Sequence, residues 1–227
     1  MAGSDALWQP DFAANSTLFA PLHALKIPFA TLPDFPKHEQ LTIWASARGL
    51  RTATGLPLHF VPMQPKPRRA RSTGPLYEEI VHTTGGIPTR AGCWHDFFNA
   101  MSWLLYPLTK AALVERRVAT TTAPGRSREQ QRMAMLDEGG LILARATARP
   151  TLPCVFGHAV WEQAVAGSFE ATCFAMAFDV PAGAEATLAG FIPLADATIA
   201  ARVRSGFLAD YDSAGVPIRP WHRPTAI

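Results

Sequence analysis

The stretch from Trp94 to Val118, WHDFFNAMSWLLYPLTKAALVERRV, restricts the fold more than any other in the chain. At the angular spacing of an α-helix, Trp94, Phe97, Phe98, Met101, Leu104, Leu105 and Leu108 fall on one broad arc, which predicts a helix pressed into a core. His95, Asn99, Ser102 and Tyr106 fall on the other side, flanked by Asp96 and Trp103. Lys110 rejoins that stripe if the helix continues through a kink at Pro107. Trp103 and Tyr106 are costly to leave in water, so the polar face is expected to border a partly apolar cleft. The alternative is that a loop covers them while His95 and Asn99 bond to backbone.

The rest of the chain supports an α+β fold, a mostly helical single domain over residues 1–227 with a small sheet. Residues 1–36 carry Pro and Phe without a sustained period and are expected to form an irregular arm held down by its hydrophobics. KHEQLTIWASARG places Leu41, Trp44 and Ala45 at helical spacing and stops at Gly49. LPLHFVP alternates like a strand, and residues 63–75 form a basic, proline-rich loop. LYEEIVHTTGG is a short helix or strand ending at paired glycines. DEGGLILARA reads as an acidic turn leading into a strand, FGHAVWEQAVAG as a helix and FEATCFAMAFDVP as a buried strand. AEATLAGFIPLADATIAARVRS reads as one helix, or two broken at Pro193, and the tail from Tyr211 as irregular.

Composition matters here for what it excludes. With 48% hydrophobic and 17% charged residues the chain is too apolar for disorder. Pro193 and Asp196 interrupt its longest apolar stretch, so no membrane span is expected, and the N-terminus does not resemble a secretory signal. Cys93, Cys154 and Cys173 lack CxxC spacing, which argues against a disulfide framework or a cysteine zinc site and fits a reducing cytoplasm. Residues 1–149 hold 17 Lys/Arg against 11 Asp/Glu, whereas residues 150–227 hold 4 against 7. An anion would therefore meet the first part. Arg48, Arg51, Lys66, Arg68, Arg69 and Arg71 accumulate in a tract without acidic residues, and Arg116, Arg117, Arg126, Arg128 and Arg132 form a second.

The residues with chemical potential concentrate near the start of the long helix. There the helix dipole favours a carboxylate at Asp96 and disfavours an imidazolium at His95, leaving a neutral His95 to act as base or metal ligand. Asp96 is equally a first-turn carboxylate that satisfies free backbone amides. Arg90 suits bidentate pairing with a carboxylate or phosphate, or with Glu78, Asp96 or Asp137 inside the chain. A metal reading recruits His95 and His158 with a carboxylate among Glu78, Asp137 and Glu138. HExxH, GxSxG, P-loop and GxGxxG patterns are absent.

At YEEIVHTTGGIPTRAGCWHDFFNAMSWLLYPLTKA the chain resembles the bacterial family called domain of unknown function 3025. Tyr77, Glu78, Gly86, Thr89, Arg90, His95, Asp96, Phe98, Asn99, Ala100, Trp103, Pro107 and Lys110 carry the resemblance. Asp137, Glu138 and Gly140 match its later acidic turn, and Gly157, His158 and Glu162 its GHxxxE-like stretch. The chain departs from the pattern at REQQRMAML, where an aspartate is missing, and at Gly92 and Cys93. The resemblance implies no activity.

Three functions follow as expectations. The first is a hydrolase or transferase acting on an anionic small molecule, with His95, Asp96, Asn99 and Asp137 as catalytic candidates and Arg90, Trp103, Tyr106 and Lys110 as substrate-binding ones. His95, His158, Glu78 and Glu138 are the metal candidates. The second is a nucleic-acid-associated protein using the basic tracts. The third is a structural or adaptor protein in which the whole pattern fixes helix packing.

Overall fold

A computed structural model describes residues 7–63, 76–121, 127–145, 153–167, 172–179, 188–209 and 216–217. Within them the fold is α+β and mostly helical. The irregular arm is a series of short 3-10 helices, Phe12–Ala14, Thr17–Leu25 and Phe29–Thr31, which suits a segment too rich in proline for longer regular runs. Its buried Phe12, Leu18, Phe19, Leu22, Leu25 and Phe29 hold it against the core.

Helix α1 (His38–Ala47) buries Leu41 and Ala45. Strand β1 (His59–Pro62), helix α2 (Tyr77–Thr84) and strand β2 (Gly86–Thr89) make a β-α-β unit with β1 and β2 parallel. Gly85 ends α2 with φ 73°, and a β-carbon there would lie 2.3 Å from the Pro57 carbonyl oxygen, so glycine is required.

The long helix is two helices, α3 (Trp94–Leu105) and α4 (Pro107–Thr120), separated at Tyr106. Pro107 opens α4, where its missing N–H costs nothing. The free amides of Leu108 and Thr109 donate to the Asp196 carboxylate at 3.0 and 2.7 Å. That cap comes from α7 (Leu188–Arg204), which runs unbroken through Pro193 and packs along α4. The break turns Leu108 out of the predicted arc and leaves it 47% exposed, while the rest of the arc is buried. Trp94, Phe97 and Phe98 stack and edge against Trp8, Phe12, Phe19, Phe29 and Phe35 of the arm. Each such ring contributes about 1.5–3 kcal/mol by leaving water.

A capping box at Ser127 and Gln130 starts α5 (Arg128–Gly139). Asp137 and Glu138, expected in a turn, sit in its last turn, and the chain passes directly into β3 (Gly140–Arg145). The helix stops there because the Gly140 carbonyl accepts instead from the amides of Phe156 and Gly157, at 3.0 and 2.9 Å. Strand β4 (Pro153–Val155) pairs antiparallel with β3, β5 (Thr172–Asp179) pairs parallel with it, and β6 (Val216–Pro217) edges β5. Helix α6 (His158–Val165) follows β4 at once. Most of the basic loop 63–75 and of the tail lies outside the described residues.

Candidate metal centre

Three helix ends meet at one point. His95 is the second residue of α3, Glu138 lies in the last turn of α5, and His158 is the first residue of α6. Their approach depends on two glycines. A β-carbon on Gly157 would lie 2.3 Å from the Gly140 nitrogen and 2.4 Å from the Glu138 carbonyl, and one on Gly140 would lie 2.3 Å from the Leu136 carbonyl. Only bare backbone lets the end of α5 lie against the start of α6.

At the meeting point, His95 Nε2 and His158 Nε2 stand 3.1 Å apart. Glu138 Oε2 is 3.2 Å from His158 Nε2 and 3.9 Å from His95 Nε2. The other nitrogen of His95, Nδ1, lies 2.8 Å from Glu162 Oε2. An ionised carboxylate only accepts, so Nδ1 carries the proton and the neutral ring presents a lone pair at Nε2. His158 Nδ1 is buried without a partner among the described residues, so that ring acts through Nε2 alone. His158 is buried, whereas the His95 side chain is 30% exposed and open to solvent.

The electrostatics differ from the helix-dipole expectation. The Glu162 hydrogen bond outweighs burial and, with Glu138 and Asp96, raises the His95 pKa. Glu138 is lowered by its contact with His158. The site thus concentrates negative charge around two imidazoles, a setting that favours a proton or a metal cation between them.

The remaining candidates lie in two other groups. Asp96 accepts from the Arg90 amide at 2.6 Å and from its guanidinium Nε and Nη2 at 3.0 and 2.7 Å. It therefore holds the turn before α3 rather than the helix's own amides. Arg90 is 51% exposed and its Nη1 has no partner among the described residues.

The second group is buried. Lys110, 2% exposed, donates to Asn99 Oδ1 at 2.7 Å and Asp137 Oδ1 at 2.5 Å, and its ammonium lies over the Trp103 ring. Asn99 Nδ2 and Trp103 Nε1 both donate to the Tyr77 hydroxyl, each at 3.2 Å. Burial pushes the Asp137 carboxyl up, but Lys110, His158 and Arg117 outweigh it and hold the carboxyl low. Tyr106 is also fully buried, its hydroxyl donating to the Val155 carbonyl at 3.1 Å, and Ser102 donates to the Phe156 carbonyl at 2.9 Å. Trp103 and Tyr106 therefore line no open cleft, contrary to the expectation for the polar stripe. Glu78 stands apart from the centre, paired with Arg117.

Of the second basic tract, Arg116 pairs with Glu129, and Arg132 donates to the carbonyls of Leu208 and Ala209. Lys66, Arg68, Arg69, Arg71 and Arg126 lie outside the described residues. Sequence reasoning did not place Glu162 in the site. Its signal was the i, i+4 spacing from His158, which puts both on one face of α6.

No curated protein and no solved structure matches the chain. Residues 58–153 match the model of a family described as a protein of unknown function, DUF3025, a span that contains Arg90, His95, Asn99, Lys110, Asp137 and Glu138 but ends before His158 and Glu162. Over that segment, which supplies two of the three converging side chains and the whole buried polar network, the chain resembles the DUF3025 family.

Proposed function

We propose that the chain is a metal-dependent hydrolase, or a transferase using the same centre, that acts on an anionic small molecule and holds a divalent cation such as zinc on His95, His158 and Glu138. The observation behind this reading is the convergence of two imidazole Nε2 atoms and one carboxylate oxygen at separations of 3.1, 3.2 and 3.9 Å. Tetrahedral zinc with bonds near 2.0–2.1 Å needs ligand atoms about 3.3 Å apart. Two histidines, one carboxylate and an open fourth position are the donor set of hydrolytic zinc sites. Such an ion supplies Lewis acidity and makes water acidic enough to attack near neutral pH.

Glu162 fixes the His95 tautomer and aims Nε2 at the centre, the carboxylate–histidine arrangement that accompanies metal ligands. Arg90, anchored on Asp96, keeps Nη1 for an anionic group of the substrate. The Asn99–Lys110–Asp137 network supports a structural role for its own residues, because each member is hydrogen-bonded within the chain. The unpaired Cys93, Cys154 and Cys173 support a reducing compartment such as the cytoplasm.

Equilibrium dialysis against zinc, followed by assay on anionic chromogenic esters, tests the reading. A single zinc per chain and zinc-dependent hydrolysis are expected, both lost in His158→Ala with the circular dichroism unchanged. Zinc uptake that survives both His95→Ala and His158→Ala would overturn it.

A further inference from the structure

Beside the candidate centre lies an open cleft of about 220 Å³ lined by Met135, Glu138, Gly139, Ala159, Val160, Gln163 and Phe174. It adjoins the centre through Glu138, the one residue that belongs to both. Along α5, Met135 and Gly139 flank Glu138; along α6, Ala159 and Val160 follow His158, and Gln163 follows Glu162. Phe174 of β5 is the one aromatic residue of the lining, and apart from Glu138 only Gln163 is polar. A molecule whose reacting group sits on His95, His158 and Glu138 and whose remainder turns toward α5 and α6 meets a surface that is mostly apolar.

We infer that this cleft is the substrate's apolar subsite, so that the centre acts on amphipathic molecules: a polar bond at the metal and a short, unbranched hydrocarbon group lying between α5 and α6. This rests on the metal reading above. At roughly 30 Å³ per water-sized group the cleft holds about seven heavy atoms, which limits the hydrocarbon to a short chain. Its openness leaves part of that chain in water, so each methylene gains less than the roughly fourfold of full burial. Arg90, on the α3 side, is left to an anionic substituent at the other end of the molecule.

The test uses the protein loaded with Co(II), whose visible spectrum reports its ligands, titrated with n-alkyl hydroxamates of increasing length. The hydroxamate binds the metal, so no reaction need be known. Dissociation constants are expected to fall about twofold per methylene and to level off once the chain fills the cleft. Met135 is 47% exposed, so Met135→Glu should fold and bind Co(II) normally while flattening that dependence. Gln163→Leu should steepen it. Co(II) binding with a flat series, or with a slope that Met135→Glu leaves unchanged, overturns the subsite and leaves the metal centre standing. Failure to bind Co(II) overturns the metal reading and the subsite together.

Discussion

Two polar layers share helix α3 a turn apart, and they are built on opposite principles. At the helix start, His95 meets His158 and Glu138 with two imidazole nitrogens facing each other and a half-exposed carboxylate beside them. One turn on, Asn99 meets Lys110, Asp137, Trp103 and Tyr77 in a connected set of hydrogen bonds with the ammonium fully enclosed. The adjacent residues Asp137 and Glu138 point one into each layer. A saturated, buried layer costs a great deal to disturb and offers nothing to a ligand. An open layer whose two ring nitrogens and carboxylate oxygen converge on one point contributes little to folding and has capacity to bind. The difference separates the residues that hold the site from those that would use it, within a single stretch of sequence.

The comparison breaks first at Lys110. Lys110→Met leaves the buried Asp137 carboxylate without its hydrogen-bonded cation and should cost about 3–5 kcal/mol in urea denaturation. A loss below 1 kcal/mol would show that the inner layer is not a folding element. Gly157→Ala probes the junction between layers. Its methyl group meets backbone at 2.3 Å, so it should cost about 1–3 kcal/mol and weaken metal binding by displacing Glu138 from His158. Retention of full zinc affinity in that variant would mean that the close approach of α5 and α6 does not set the centre.

Smaller effects belong to the open layer. Glu162→Gln should lower zinc affinity about 10- to 100-fold, with the stability of the metal-free protein within about 0.5 kcal/mol of the parent. The reverse pattern, intact affinity and lost stability, would make the His95–Glu162 pair structural. The pH profile of the metal-free protein separates the layers by sign. His95 has a folded pKa raised above 6.5, so its contribution is complete below 6.5 and is lost as pH rises through the raised value. Asp137 has a folded pKa below 3.8, so its contribution is present above 3.8 and is lost as pH falls through the lowered value. Zinc should shift the stability maximum upward in pH, because its ligands must shed protons. Differential scanning calorimetry across pH 3–9 checks the pattern, and a maximum that zinc leaves in place would contradict it.

Periodicity made much of the scaffold legible. The arc of α3, the strand at His59, the helix at His158 and the strand at Thr172 follow from apolar spacing, and the arm's aromatics announce an attached segment. What escaped depends on partners distant in sequence. The break at Tyr106 is set by Asp196, 88 positions beyond Leu108, whose carboxylate caps α4. The extension of α5 through Asp137 and Glu138 depends on Phe156 and Gly157 claiming the Gly140 carbonyl. Trp103 and Tyr106 read as cleft residues because nothing local reveals that Tyr77 and the carbonyl of Val155 receive their polar atoms. His95, His158 and Glu138 were recognisable as ligand types, but their spacing carries no motif, since one ligand comes from each of three helices.

Anomalous diffraction at the zinc edge from zinc-loaded crystals tests the metal centre most directly. A single peak is expected between α3, α5 and α6, about 2.0–2.2 Å from His95 Nε2, His158 Nε2 and Glu138 Oε2. The absence of a peak there, with zinc elsewhere or none at all, would contradict it.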